Sequence, residues 1–358
     1  AAALAIIVPT TLFGPGLLQD DSSPDPVAPD RSWSLEEPVL LTAGAPSGGD
    51  LRVPYINDRR LVVPGGEAVE VAADYSTIAP AGDEFLGIRG QSGGEPYVDV
   101  LDGKGNVIES SPTTGTLVSS DDGSAAAWGS PSGEVFVRSG GVTTSLATLP
   151  RAVRVVALQT SGPCGSEGAC RVFYNESNPQ LAPGVAGSDA TTGLGGSLRS
   201  VTAVSPDRVA AGLTSDPDSA PADNCSALYD VQSRAQLFDT CDYAFDEATT
   251  GFSPDGAIIV ATEPDEEGNP TSLSLLDSHT GDIVAEIRVP ASAARNVGSP
   301  VDTYWEDEDH LLVKTAGPAS DPGFGYTVFR ISLDDGSVEK LLHTVEGGGG
   351  TQPFILPN

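Results

Sequence analysis

The chain alternates short apolar stretches with tight polar turns at a regular spacing. Residues 249–289 show the unit most clearly. Thr249 to Phe252 reads as a short strand, "SPDG" as a turn, and Ala257 to Thr262 as a second strand. In the turn, Pro254 presets φ and Gly256 accepts a positive φ. A polar loop, "EPDEEGNP", then leads to "TSLSLLD", the turn "SHTGD" and a fourth strand, "IVAEIRV". This order is one four-stranded antiparallel meander.

The unit recurs. Residues 301–343 give "VDTYW", "EDED", "HLLVKT", "YTVFRISL", "DDGS" and "VEKLLH"; residues 199–239 give "RSVTAV", "SPDR", "VAAGLT", "ALYDV" and "AQLFD". Further copies lie at 117–149 and 75–110. A weaker one spans 152–186, with "AVRVVALQT" and "RVFYNES" separated by the Cys164 loop. No amphipathic helical pattern follows residue 14. One meander cannot bury both of its faces, so repetition at this period predicts an all-β chain folded as a β-propeller of four-stranded blades. Residues 38–72 hold "VLLTA", "LRVPYI" and "EAVEVA" without a first strand, while the C-terminal "TQPFILPN" is a strand without a sheet. Placing Gln352 to Leu356 innermost in that first blade closes a ring of seven and removes an exposed edge. The alternative is a six-bladed ring with 38–72 appended.

Three stretches carry a family resemblance. "FSPDG" at 252–256, "VSPD" at 204–207 and "YWEDEDHLLV" at 304–313 resemble TolB-like and WD-like propeller repeats, particularly those of exported actinobacterial proteins with an N-terminal membrane segment. The resemblance covers residues 38–358 and implies the fold rather than an activity.

Charge narrows the range of partners. With 18 basic against 50 acidic residues, the formal charge of −32 repels phosphate backbones and anionic lipid headgroups, so nucleic acid is not an expected partner. Residues 1–14 read as the end of a hydrophobic segment, transmembrane or signal, that continues before Ala1 into a basic flank. Residues 15–37 form a Pro/Asp/Ser-rich linker, which leaves 38–358 as the propeller domain. Membrane attachment is expected only through the N-terminal segment, and the domain is expected to be a monomer.

The four cysteines fall into two local pairs, Cys164 with Cys170 and Cys225 with Cys241. "CSALYDVQSRAQLFDTC" reads as a hairpin turning at Ser233, which sets Cys225 opposite Cys241. Two disulfides fit an oxidising compartment outside the cytoplasm.

Familiar catalytic patterns are weak. His279, His310 and His343 are far apart in sequence and read as solvated turn residues. Ser92 in "GQSGG" matches a nucleophile-elbow pattern but lacks its strand-to-helix setting. "SSDDGSAA" at 119–126 is similar to the Asp box of sialidase-type propellers, a turn-stabilising element. "DGKGN" at 102–106 and "DEEGN" at 265–269 resemble the start of a calcium loop without its distal Glu, so hairpin turns explain both, and no cofactor is expected unless calcium binds.

One asymmetry points to a binding surface. The second connection of each meander is long: "APSGGD", "GQSGGEP", "GSPSG", "SGPCGSEGAC", "TSDPDSAPADN", "TEPDEEGNP" and "TAGPASDPGFG". Together these loops hold eleven acidic residues and no Lys or Arg. Elaborated loops on a rigid scaffold are where binding resides. Asp216, Asp218, Asp223, Glu263, Asp265, Glu266 and Glu267 are therefore the candidate face for a protein or a cationic ligand. The expected function is an extracytoplasmic, membrane-tethered or secreted binding or sensor module, more a binder than an enzyme. The alternative is a propeller-type hydrolase or lyase using carboxylates at the central channel, with or without a divalent cation.

Overall fold

In the computed structural model the described residues are 35, 37–90, 95–164, 169–177, 183–187, 191–194, 198–213, 225–233, 235–246, 249–264, 270–318, 324–345 and 354–357. They belong to one compact unit, Trp33–Asn358. The segment before it, with the apolar residues 1–14, lies outside the described residues, as does Ser92.

Seven four-stranded sheets form the blades of a β-propeller. From the inside outwards, the first blade is Phe354–Ile355, Tyr55–Asn57, Arg60–Val62 and Val69–Glu70. The second is Tyr75–Ala81, Glu84–Arg89, Tyr97–Leu101 and Val107–Pro112, and the third Leu117–Ser119, Ala125–Gly129, Glu134–Ser139 and Val142–Thr148. The fourth is Val153–Thr160, Cys170–Glu176, Gly184–Gly187 and Thr191–Gly193; the fifth is Leu198–Val204, Arg208–Leu213, Ser226–Asp230 and Gln236–Thr240. The sixth has, outside an innermost segment that pairs only at isolated points, Ile258–Pro264, Pro270–Asp277, Ile283–Arg288 and, outermost, Val39–Leu40. The seventh is Ser299–Trp305, His310–Pro318, Phe324–Ser332 and Val338–Val345.

The apolar pattern explains this ring. Buried side chains form seven clusters, one between each pair of neighbouring blades. Ile258 and Val260 face the seventh blade, while Ile259 and Ala261 of the same strand face the fifth. Ala125 and Ala127 likewise face the fourth blade, and Ala126 and Trp128 the second. Strands buried on both faces carry continuous apolar runs such as "AIIVAT" rather than strict alternation.

The C-terminal strand closes the ring: Ile355 pairs antiparallel with Ile56 and Phe354 with Asn57. Other parts of the first blade differ from the pattern read in the sequence. "VLLTA" does not join it; Val39–Leu40 instead runs parallel to Ile287–Arg288 on the outer edge of the sixth blade. The missing strand is Arg60–Val62, reached by a tight hairpin in which Asp58 and Arg59 both have positive φ, 47° and 60°. Two such residues define a type I′ turn, which usually announces itself with Gly, and here Gly is absent. "APSGGD" is accordingly not a second connection.

The fourth blade also departs from the template. The Cys164 loop joins its first and second strands, so "SGPCGSEGAC" is a first connection, on the face opposite the true second loops. In the sixth blade the innermost segment pairs only at two points, Ala244 with Thr262 and Phe252 with Ile259, so Thr249 to Phe252 is not a continuous strand.

Arginines tie strands and blades together. Arg138 of the third blade is buried and pairs bidentately with Glu84 of the second, at 2.8 Å for both bonds, and reaches Glu109 at 2.9 Å. Arg330 joins Glu306 and Glu339 within the seventh blade and donates to the Asp50 carbonyl. Removing one partner of a buried pair strands the other charge. Arg138→Met is expected to lower stability by about 3–5 kcal/mol, and Arg138→Met with Glu84→Met to recover most of that loss. Chemical denaturation of the two variants checks this; equal losses in both would show that the pair does not hold the blades.

Candidate functional site

The innermost segments of the third to seventh blades leave a cavity of about 230 Å³ on the ring axis. Val156, Thr202, Thr250, Asp302 and Tyr304 line it, and Pro357 of the closing segment completes the wall. Turn residues Asp121, Pro206 and Pro254 line the same cavity, and each belongs to a first connection. In an up-and-down meander the first and second connections emerge at opposite ends of the strands. The cavity thus lies at the first-turn end of the channel, away from the second loops.

One recurrent local device builds this mouth. In "SPDG", the Ser253 hydroxyl donates to Asp255 Oδ1 at 2.6 Å and accepts from the Ile258 N–H at 2.9 Å, while the Ala257 N–H donates to Asp255 Oδ1 at 3.1 Å. Ser120 and Asp122 repeat the arrangement, with Ser120 Oγ donating to Asp122 Oδ1 at 2.7 Å and accepting from the Ala125 N–H at 3.1 Å. Ser205 and Asp207 do so in the fifth blade. Short polar side chains here satisfy turn donors that no strand partner reaches, and Gly256 and Gly123 supply the positive φ, 72° and 64°. Between the Ser and the Asp stand Pro254 and Pro206, both lining the cavity, and in the third blade Asp121. A carboxylate therefore occupies the place that a proline ring takes in the other two turns.

The electrostatics follow from this position. Asp121 is exposed to water, so it is the encircling rim of protein, and next the adjacent Asp122, that raises its carboxyl above the ordinary range. Burial raises the Tyr304 hydroxyl, and the Asp121 charge raises it further, so the carboxylate of the third blade acts across the channel on the seventh. Asp302 is half-buried in the channel wall, and burial pushes its carboxyl up to about 6. Lys314, directly opposite on the neighbouring strand, and the Thr303 backbone N–H oppose that rise. Lys314 is 1% exposed; burial lowers its ammonium and Asp302 resists the change, while the Tyr326 ring centroid lies 5.5 Å from Nζ. Thr250, only 9% exposed, has a buried hydroxyl with no hydrogen-bond partner among the described residues.

Side-chain bonds between blades hold the walls in place. Gln159 Nε2 donates to the Ser205 carbonyl at 2.6 Å, Thr303 Oγ1 to the Thr249 carbonyl at 2.7 Å, and Trp305 Nε1 to the Gly251 carbonyl at 3.3 Å.

Among the described residues, none of the cysteines, histidines or acidic-face carboxylates singled out in the sequence lines this cavity. Cys164 is bonded to Cys170 and Cys225 to Cys241, the second across the base of the hairpin that pairs Ser226 with Thr240. Of the acidic face, Asp216, Asp218, Asp223, Asp265, Glu266 and Glu267 lie outside the described residues. Glu263 is exposed at the second connection of the sixth blade and accepts a bond from Ser272 Oγ at 2.8 Å. Asp102 accepts from the Lys104 and Asn106 N–H groups at 2.9 Å, as a hairpin turn requires; the similar stretch 265–269 is not described. His279 and His310 flank turns, whereas His343 sits in an outer strand beside Thr327 Oγ1. Among the described residues no three His, Cys, Asp or Glu side chains gather as a metal site.

Asp121, Thr250, Asp302 and Lys314 escaped the sequence reading. A signal existed for Asp121, which breaks the Ser-Pro-Asp pattern, and for Asp302, an acid within the strand "VDTYW" that the ring turns toward its axis.

No family model and no curated protein matches the chain. Among solved structures it is similar to the β-propeller domain of Cps50 (Swd1) from Myceliophteria thermophila, at 11% identity and a TM-score of 0.48, over 78% of this chain and 88% of that one. It is also similar to hydrazine synthase of Kuenenia stuttgartiensis, at 13% identity and a TM-score of 0.49, over 76% of this chain and 80% of that one.

Asp302 should leave a signature in stability. A carboxyl raised in the folded state favours folding fully below its unfolded value, about 3.9, and that contribution is lost as pH rises through the folded value, about 6. Between these limits the wild-type protein should lose stability with rising pH relative to Asp302→Asn. Urea unfolding of both proteins from pH 4 to pH 7.5 measures the difference; parallel curves would show that Asp302 is not perturbed.

Proposed function

We propose that this protein is an extracytoplasmic binding or sensor module, tethered to a membrane through its apolar N-terminal residues, whose ligand brings a positive charge into the first-turn mouth of the channel. Asp121 is the observation that carries this reading: its carboxylate replaces proline at the mouth of a cavity that also holds the unpartnered Thr250 hydroxyl. Pre-formed concave sites with a few polar groups are where small ligands bind. The two disulfides accord with an oxidising compartment. The acidic second loops, including Glu263, remain a separate candidate surface for a basic protein partner.

Asp302 supports a second reading. A carboxyl pushed up to about 6 by burial and lining the same cavity as Tyr304 suits general acid–base chemistry, as in a hydrolase or lyase. Turnover of a hydrolase or lyase substrate that Asp302→Asn abolishes would select this reading over simple binding.

Thermal melts with a matched five-carbon set test the binding reading. Cadaverine, glutarate and 1,5-pentanediol differ mainly in charge. Cadaverine alone is expected to raise the melting temperature, with an effect that shrinks as salt screens the exposed charge and disappears in Asp121→Asn. No response to any of the three, or an equal response in the variant, would refute the reading.

A further inference from the structure

The channel cavity does not end at its mouth. It shares Asp121, Gln159 and Pro206 with a second depression of about 410 Å³, which in turn shares Asp122, Thr160 and Ser161 with a third of about 990 Å³. The three form one path across the first-turn face, from the axis over the fourth and third blades to the second. Its outer part is lined by small groups such as Gly82, Ser124, Gly140 and Gly162 and by the carboxylates of Asp83, Glu84 and Asp122, with no aromatic ring among the described residues. Sugars favour aromatic platforms, whereas a peptide backbone needs close approach and hydrogen-bonding partners.

The middle depression carries opposite charges that do not meet. Asp121 comes from the third blade and Arg171 from the second strand of the fourth. Among the described residues neither makes an ion pair or a side-chain hydrogen bond, and Arg171 only lies over the Phe173 ring, 5.7 Å from its centroid. Arg171 sits opposite Gln159 in the sheet, and Gln159 is fixed by its bond to the fifth blade. The wall beside them, Ser161 and Ala169, is closed into a loop by the Cys164–Cys170 disulfide and joined by a backbone bond of 2.8 Å. A rigid depression presenting one cation and one anion, with a narrow cavity on the anionic side and a polar groove leading away, fits a ligand that bears both charges and an extended tail.

We propose that this path binds the C-terminal basic residue of a peptide. The α-carboxylate pairs with Arg171, the side-chain cation enters the channel past Asp121 toward Thr250, and the preceding backbone runs out over Thr160 and Ser161 into the groove. Arginine is suited to the carboxylate because its fork matches both oxygens. This inference rests on the proposed entry of a positive charge at the channel mouth and adds the carboxylate and the chain.

Calorimetric titration of the full chain with Ac-Ala-Ala-Lys, its C-terminal amide, Ac-Ala-Ala-norleucine, free lysine and cadaverine tests each element. The free-acid peptide should bind at least about tenfold more tightly than either its amide or the norleucine peptide, the scale of one charged hydrogen bond. Arg171→Met should erase the difference between acid and amide, and Asp121→Asn that between lysine and norleucine. Both side chains are exposed at the surface, and unchanged melting temperatures verify that the variants fold. Free lysine binding as tightly as the peptide would remove the groove and identify an amino-acid site, overturning the peptide assignment. Equal affinity for acid and amide, with cadaverine still bound through Asp121, would overturn this inference while leaving the binding reading intact. Failure of every probe, cadaverine included, would overturn both.

Discussion

Every blade of this protein is apolar on both faces, and that constraint governs the rest. A single meander would leave both greasy faces in water, and an open row of blades would still leave its two end faces exposed. Only a closed ring buries them all, which is why the core is divided into seven interfaces rather than gathered at a centre. Closure falls to a very short pairing, Phe354–Ile355 against Tyr55–Asn57. The chain supports it from outside: residues 35–50 follow the outer edge of the sixth blade through Val39–Leu40 and then meet the seventh, where Ser47 bridges Lys340 and the Gly48 N–H donates to the Lys340 carbonyl. The segment leading into the first blade thus braces the two blades that precede it in the ring.

A ring closed in this way has an axis, and the axis is where apolar packing gives out. Inner strands splay around a cavity instead of filling it, so polar groups can be held there at fixed positions. Lys314 and Asp302 offset each other's burial, the hydroxyls of Ser253, Ser120 and Ser205 are spent on their own turns, and the hydroxyl of Thr250 is left over. Turns that terminate inner strands must reach the mouth of the channel, which is how Asp121 comes to act on Tyr304 across the ring. Scaffold and site share the same residues, and the serine–aspartate turn that marks the repeat also builds the rim.

Much of the ring was legible in the sequence because its signals are local. "FSPDG" encodes a turn through Pro254 and Gly256, the hairpin of Cys225 and Cys241 is symmetric about Ser233, and the unpaired apolar C-terminus asks for a sheet. Where the reading failed, the deciding contact was distant or lacked its usual marker. Val39–Leu40 looks like any short strand, and nothing nearby reveals that its partner is Ile287–Arg288. Asp58 and Arg59 turn the chain without glycine. The Cys164 loop has the length of a second connection but occupies the first, which moves it to the opposite face, where its opening residues Ser161, Gly162 and Pro163 line the groove. The candidate site was legible only in fragments: the break in the Ser-Pro-Asp pattern at Asp121 is visible in the sequence, but its convergence with Thr250, Asp302 and Arg171 depends on ring closure.

We propose that recognition takes place at the first-turn mouth of the channel. Crystals of the domain soaked with small cationic, anionic and neutral fragments would test it without assuming a natural ligand. Cationic fragments are expected at Asp121 and within the channel toward Thr250, and anionic ones beside Arg171. Fragments of every charge gathering among the second loops, with the channel mouth left to water alone, would contradict it.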